Sequence, residues 1–397
     1  MSRISRVPRL RFPEFRHSKG WDNKQLGDIL SVGNGRDHKH LAEGDIPVYG
    51  SGGYMRSVNE YLYDGASACI GRKGTIDKPV FLTGKFWTVD TLFFTHSYEG
   101  SLPLFVYAIF QNINWLNHNE AGGVPSLSKA NIEKISIDIP SLEEQQKIAD
   151  CLTSIDDLIT AEAEKLAALK DHKKGLMQQL FPRKGETTPR FRFPEFCDAG
   201  DWLTADLEQV ASVSSGGTPS RGNPKYWGGD IPWVSTTLID FNTITTANEF
   251  ITKIGLEESS AKFFEKNTIL MAMYGQGKTR GKVALLGIDA AINQACAAIT
   301  VNKDMNADFV FQNLCSRYDE IRSISNQGGQ ENLSGAIVKK IPLSYPDPKS
   351  REQQKIADCL TSIDDLITAE VEKLTALKYH KKGLMQQLFP ASNEVNG

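Results

Sequence analysis

The feature that most limits what this chain can become is a passage written twice. Residues 144–182 read EQQKIADCLTSIDDLITAEAEKLAALKDHKKGLMQQLFP, and residues 352–390 repeat them with three changes in 39 positions (Ala163/Val371, Ala167/Thr375, Asp171/Tyr379). A shorter echo links Pro8–Phe15 (PRLRFPEF) to Pro189–Phe196 (PRFRFPEF), with Trp21 and Trp202 following at the same offset. Internal repetition dictates architecture before local propensity does. It divides the chain into variable segments at 1–142 and 183–350, and repeated segments at 143–182 and 351–397.

The repeated segment reads as a helix. It has no internal proline, one late glycine (Gly175 or Gly383) and many strong helix formers. Its apolar residues, Ile148, Leu152, Ile155, Ile159, Leu166, Leu169, Leu176 and Leu180, follow an alternating 4-3 spacing interrupted by Glu162 and Lys173. That is a coiled-coil seam with two polar positions that fix register and partner. A helix of about 37 residues is roughly 55 Å long. An ordinary amphipathic core helix would need to suit only its own neighbours, so near-identity across two different halves argues against it. Two matching helices can instead pair antiparallel and present one outer surface twice, a geometry for two copies of one partner.

The variable segments carry glycine turns between short apolar runs. Strands are expected at Ile46–Tyr49, Ala66–Ile70, Val80–Leu82 and Phe86–Phe94, then at Ile231–Val234, Thr268–Tyr274, Val283–Leu286 and Ala290–Val301. Both segments close on Gly-Gly, Leu-Ser and a short Ile-rich strand ending in proline. The expected fold class is α+β: two α/β globules alternating with two long helices that pair as an antiparallel coiled coil. The net charge of −3 argues against a simple nucleic-acid coat protein, and residues 1–142 hold 16 basic against 14 acidic side chains, so any basic surface is local. No apolar run reaches the ~18 residues of a membrane span, and the arginine-bearing N-terminus lacks the apolar stretch of a secretory signal. Six cysteines without a C-x-x-C pair read as buried free thiols in a reducing cytoplasm.

With these features in place, the chain resembles the specificity (S) subunit of a type I restriction-modification system. The carriers are the duplicated EQQKIADCLTSIDDLI, IPVYGSGG at 46–53, YWGGDIPWVSTTLI at 226–239 and INQACAAI at 292–299. The resemblance covers essentially the whole chain. It implies two target recognition domains, each reading one half of a split, asymmetric double-stranded DNA sequence. It also implies helices that act as a spacer and dock two modification (methyltransferase) subunits, with restriction subunits joining to make the nuclease. The chain itself is then a non-catalytic prokaryotic cytoplasmic subunit, with S-adenosylmethionine, ATP and Mg on its partners. A spacer of at most ~55 Å allows about 16 base pairs at roughly 3.4 Å per step.

Glycine-rich turns with basic and amide side chains let backbone approach phosphates while side chains reach base edges. In the first domain the candidates are Arg36, His38, Lys39, Ser51, Gly52, Gly53, Tyr54, Arg72, Lys73, Ser126 and Lys129. In the second they are Ser220, Arg221, Lys225, Tyr226, Gln276, Lys278, Thr279, Arg280, Lys282, Gln327, Gln330 and Asn332. Arginine on guanine and Gln or Asn on adenine are the expected pairings. Each could also be a solvated turn residue.

Other chemistries compete for these letters. Residues 272–279, AMYGQGKT, nearly spell a phosphate-binding loop, with alanine where the first glycine belongs. A nucleotide-binding protein using Lys278 and Thr279 is therefore one alternative, and a coiled-coil adaptor without DNA is another. Such a loop must enter a helix, whereas VALLG after Lys282 reads as a returning strand. Ile70–Lys78 is expected to fill the same strand-turn-strand slot with equal length. His38 and His40 have metal-ligand spacing but no companion cluster. Asp156-Asp157 and Asp364-Asp365 lie on a solvated or partner-facing helix. No methyltransferase Asn/Asp-Pro-Pro-aromatic motif occurs, and Gly33-Asn-Gly35 lacks the third glycine of a dinucleotide fingerprint.

Overall fold

The computed structural model describes residues 7–275, 278–324 and 332–390. Two helices dominate, Leu142–Leu180 and Glu352–Leu388, each following a proline and stopping at Phe-Pro. The chain forms two compact units: Met1–Glu164 with Glu372–Gly397, and Lys165–Val371. Each unit thus takes one variable segment plus a piece of both long helices, a different cut from the four segments read along the sequence.

The units share one plan. In unit one, a sheet of order Ser31–Asn34, Leu92–His96, Ser67–Gly71, Val80–Leu82 accompanies a second of order Gly53–Val58, Ile46–Gly50, Lys85–Thr88, Tyr63–Asp64. In unit two the counterparts are Ala211–Ser215, Cys296–Val301, Ile269–Ala272, Val283–Leu286 and Glu249–Ile251, Trp227–Val234, Ala290–Ile292, Lys262–Phe264, with Thr243–Ile244 added to the first. Each second sheet contains one parallel pairing, Val48 opposite Trp87 and Trp233 opposite Ala291. A two-stranded ribbon, Asp22–Gln25 with Ser136–Ile139 or Leu203–Asp206 with Pro342–Tyr345, joins the start of each variable segment to its end.

Two expected strands are broken. Phe86–Phe94 divides into Lys85–Thr88 and Leu92–His96, and Ala290–Val301 into Ala290–Ile292 and Cys296–Val301. Between them sit tight turns closed by Leu92 N to Val89 O (2.9 Å) and Cys296 N to Asn293 O (3.2 Å). These turns pass the chain from one sheet to the other, and no glycine or proline announces them.

The two sequence echoes turn out to be one device. Arg11 donates through Nε and Nη2 to Glu144, both at 2.7 Å, and Arg192 does the same to Glu352. Lys147 reaches Glu14 at 3.2 Å, as Lys355 reaches Glu195 at 3.2 Å. The head of each repeat therefore grips the RFPEF of its own unit. The tails dock the other way round: Phe389 packs 6.0 Å from Trp21 and 5.6 Å from Phe105, and Phe181 packs 6.4 Å from Trp202 and 5.6 Å from Phe309. Leu10 N donates to Gln387 O and Phe191 N to Gln179 O, both at 3.0 Å.

Within each unit the helix pieces run antiparallel. In unit one Asp156 meets Lys381 at 2.7 Å and Glu162 meets Lys373. In unit two the repeat-equivalent residues do the same, with Lys173 on Asp364 at 2.6 Å and Lys165 on Glu370 at 2.7 Å. Gln111 and Gln312 complete equivalent groups on Lys381 and Asp364. The two polar seam positions, Glu162 and Lys173, are buried. Of the aspartates expected on a solvated or partner-facing face, Asp156 and Asp364 instead bind lysines of the opposite helix, while Asp157 and Asp365 are exposed. Among the described residues no helix is long and apolar enough to cross a membrane. All six cysteines are free, but not all are buried as expected: Cys197 is exposed on its turn and Cys151, Cys315 and Cys359 are half-buried. Burial pushes the Cys69 and Cys296 thiols up to about 12.

Candidate nucleic-acid interface

In unit one, five candidates converge on the turn Val89–Leu92. Arg36 N donates to Thr88 O (2.8 Å), and Trp87 Nε1 returns a bond to Arg36 O (2.9 Å). Arg72 N donates to Thr91 O (2.7 Å), and Ser51 N to Thr91 Oγ1 (3.3 Å). Leu127 N donates to Arg72 O (2.9 Å), and Lys73 bridges to Ser126. Gly35 lies so close to this strand end that a Cβ would sit 1.9 Å from Val89 O, so only glycine fits. The Arg72 guanidinium lies 5.8 Å from the Phe93 ring centre, while Lys73 is exposed. Nearby, Gly52 and Gly53 stand in open space and Tyr54 is 62% exposed.

The remaining first-domain candidates are less central. Lys129 opens the short helix Lys129–Glu133, capped by Ser128, and pairs with Glu133 at 3.5 Å. Lys39 is exposed and His38 half-buried. The His40 ring sits 6.1 Å from Trp87, and among the described residues no three His, Cys, Asp or Glu groups could hold a metal.

Unit two repeats this frame with other letters. Gly217 N donates to Ile292 O (2.9 Å), Trp233 Nε1 to Gly217 O (3.0 Å), Met273 N to Ala295 O (2.9 Å) and Leu333 N to Met273 O (2.9 Å). Met273 therefore stands where Arg72 stands, and Asn332 where Ser126 does. The tryptophan comes from a different strand in each unit: Trp87 lies on the strand that runs into the turn, opposite Val48, whereas Trp233 lies on that strand's parallel neighbour, opposite Ala291. One indole fills one slot from either side of a parallel pair, an exchange that spacing along the sequence could not reveal.

The other second-domain candidates divide into presented and retained groups. Lys278 is exposed, its carbonyl held by the Tyr318 hydroxyl at 2.6 Å. Thr279 is half-buried against Gly275. Arg280 departs from the expectation: it is 7% exposed and its Nη2 donates to Arg322 O (3.1 Å), so its guanidinium is held inward. Lys282 is paired with Asp240 at 2.5 Å. Arg221 stacks 3.9 Å from the Trp227 ring centre and forks onto Glu249, holding that carboxylate below the ordinary range. Ser220 O accepts from Trp227 Nε1 (3.2 Å), Lys225 is exposed, and the Tyr226 hydroxyl donates to Glu258 (3.3 Å). Gln276, Gln327 and Gln330 lie outside the described residues.

The nucleotide-loop spelling fails on topology. Ile269–Ala272 pairs antiparallel with Val283–Leu286, so the chain after Lys278-Thr279 turns back into a strand and supplies no helix N-terminus for a phosphate. Ser67–Gly71 and Val80–Leu82 form the matching hairpin in unit one. Its connection is not of equal length: the span from Ala272 to Val283 is longer than that from Gly71 to Val80. Sequence reasoning also passed over Tyr274, 41% exposed at the position equivalent to Lys73, because it sits inside the nucleotide-like spelling.

Two units on one frame, with different side chains at equivalent positions, define a twin-domain reader. The chain belongs to the family of type I restriction modification DNA specificity domains, whose model matches residues 18–171 and 199–379. Among curated relatives, the MjaVIII specificity subunit of Methanocaldococcus jannaschii is 24% identical over 97% of this chain and 95% of its own length. The MjaIX specificity subunit of the same organism is 29% identical, and the EcoR124I/EcoR124II specificity subunit of Escherichia coli 26%. Those two matches span 42% and 44% of this chain, and 39% and 43% of the relatives' own lengths. Among solved structures, the type I S subunit of M. genitalium has the same fold, with a TM-score of 0.69 at 14% identity over 98% of this chain and all of that one. A chain from a structure of type I system assembly and conformational transition has a TM-score of 0.56 at 13% identity, covering 97% and 100%.

Proposed function

We propose that this chain is the sequence-reading subunit of a type I restriction-modification complex. Each unit reads one half of a bipartite, asymmetric double-stranded DNA site. The long helices, paired as an antiparallel coiled coil, set the gap and dock two methyltransferase subunits, and restriction subunits join the full complex. The chain is non-catalytic and cytoplasmic, and S-adenosylmethionine, ATP and Mg act on its partners.

The observation that carries this reading is the shared frame with divergent letters: Arg72-Lys73 in one hairpin, Met273-Tyr274 in the other, both anchored by the same backbone bonds. A catalytic or structural pair would keep its side chains, whereas readers of two half-sites must differ. The near-identical repeats support duplicated partners, because equal surfaces bind equal subunits. Methylation mapping in cells expressing the intact system tests the proposal. The expected result is one split motif with unlike halves; methylation without sequence preference overturns it.

A further inference from the structure

Both recognition units centre on the hidden turn that passes the chain between sheets, and its exposed second residue has no role assigned above. In unit one this is Asp90 in Val89–Leu92; in unit two it is Gln294 in Asn293–Cys296. Equivalence rests on four matching bonds. The residue before each turn accepts from the adjacent glycine-bearing segment (Thr88 O from Arg36 N, Ile292 O from Gly217 N). The third turn residue accepts from the basic or aromatic hairpin (Thr91 O from Arg72 N, Ala295 O from Met273 N). The turn closes on itself, and the same tryptophan slot locks the strand beside it.

We infer that Asp90 and Gln294 are base-reading residues, one for each half-site, and that both address exocyclic amino groups. The backbone of each turn is fixed on several sides while its second side chain is exposed, which is the geometry a base-edge contact needs: a rigid mount and a polar tip. Gln294 is also oriented from behind, because the Thr218 hydroxyl donates to its Oε1. That oxygen has a second lone pair, so it can accept an adenine N6 proton while Nε2 donates to N7, the bidentate pairing of glutamine with adenine. Asp90 can only accept when ionised, so it fits the N4 amino group of cytosine or the N6 amino group of adenine. The flanking groups suit a phosphate-bearing partner: exposed Lys73 in unit one and exposed Lys278 in the second hairpin. The two side chains differ, as readers of unlike half-sites should.

This inference rests on the DNA-reading function proposed above, and one experiment separates the two. The intact system is expressed with wild-type chain, Gln294→Ala, Gln294→Glu, Asp90→Ala or Asp90→Asn, and methylated sites are mapped genome-wide. In the wild type a bipartite motif is expected; if none appears, the DNA-reading proposal fails and takes this one with it. Given a wild-type motif, Gln294→Ala should relax one adenine position in a single half-site, its preference falling roughly 5- to 150-fold. The near-isosteric Gln294→Glu should move that position toward cytosine. Asp90→Ala should relax one amino-bearing base in the other half-site, and Asp90→Asn should shift it toward adenine. An unchanged motif overturns the inference, as does a uniform loss of methylation at all sites or an effect of either residue on both halves. Both side chains are exposed, Gln294→Glu and Asp90→Asn keep side-chain size, and a melting curve matching the wild type is required of each variant.

Discussion

Replacing Glu144 by alanine should loosen unit one more than replacing Glu352 loosens unit two. Both carboxylates grip an arginine in a buried fork, with side chains 5% and 2% exposed for Arg11 and Glu144, and 10% and 1% for Arg192 and Glu352. Removing one partner of such a pair costs about 3–5 kcal/mol. Each guanidinium keeps two backbone carbonyls, Ser18 and Lys19 or Ala199 and Gly200, which holds the loss near the lower end of that range. The asymmetry comes from tryptophan. Trp21 Nε1 donates to Glu144 at 3.2 Å, whereas Trp202 Nε1 is buried without a hydrogen-bond partner among the described residues. Glu144→Ala therefore strands a second donor, adding about 1–3 kcal/mol. Hydrogen exchange along a urea series, read separately on peptides around Trp21 and Trp202, measures both losses. In a Trp21→Phe background the excess should vanish, since the two residues share one bond. Equal losses in the two units, or an excess that survives Trp21→Phe, would refute the reasoning.

Three further outcomes are expected. Phe389→Ala should cost about 3–5 kcal/mol and lower exchange protection around Trp21 and Phe105, while Phe181→Ala does the same around Trp202 and Phe309; protection lost equally in both units by either change would contradict the docking described. Lys278→Ala should weaken binding to all DNA sequences alike and reduce the salt slope by about 1; a loss of ATP binding instead would revive the nucleotide-loop reading. Inserting one heptad into each long helix adds roughly 10.5 Å and should widen the gap in the methylation motif by about 3 base pairs, whereas an unchanged gap removes the spacer role.

What the sequence revealed was repetition and turn chemistry. The long helices, their polar seam positions and the hairpin at 271–282 were legible because period and glycine placement are local properties. The RFPEF echo was visible too, but its meaning was not: Arg11 and Glu144 are distant in sequence, and only the fold shows that they form one clamp. The turns at Val89–Leu92 and Asn293–Cys296 were hidden inside apolar runs, because their backbone is held by tertiary hydrogen bonds in place of glycine or proline. For that reason the expected strands ran through them, and Asp90 and Gln294 went unnoticed. Arg280 illustrates the opposite error. Its charge suggested a surface role, while burial against the Arg322 carbonyl decided its place.

The three positions at which the repeats differ are all exposed and fall at steps of four: Ala163, Ala167, Asp171 in one copy and Val371, Thr375, Tyr379 in the other. Steps of four lie along one side of a helix, so the copies have drifted apart along a single stripe and nowhere else. Tyr379, 72% exposed, makes that stripe aromatic on one helix where Asp171 makes it acidic on the other. A subunit that treats both helices alike cannot be reading this stripe. Under the proposed docking its footprint falls on the exposed letters the copies share, which leaves the divergent stripe as the part of the repeats where a third component could tell one helix from the other.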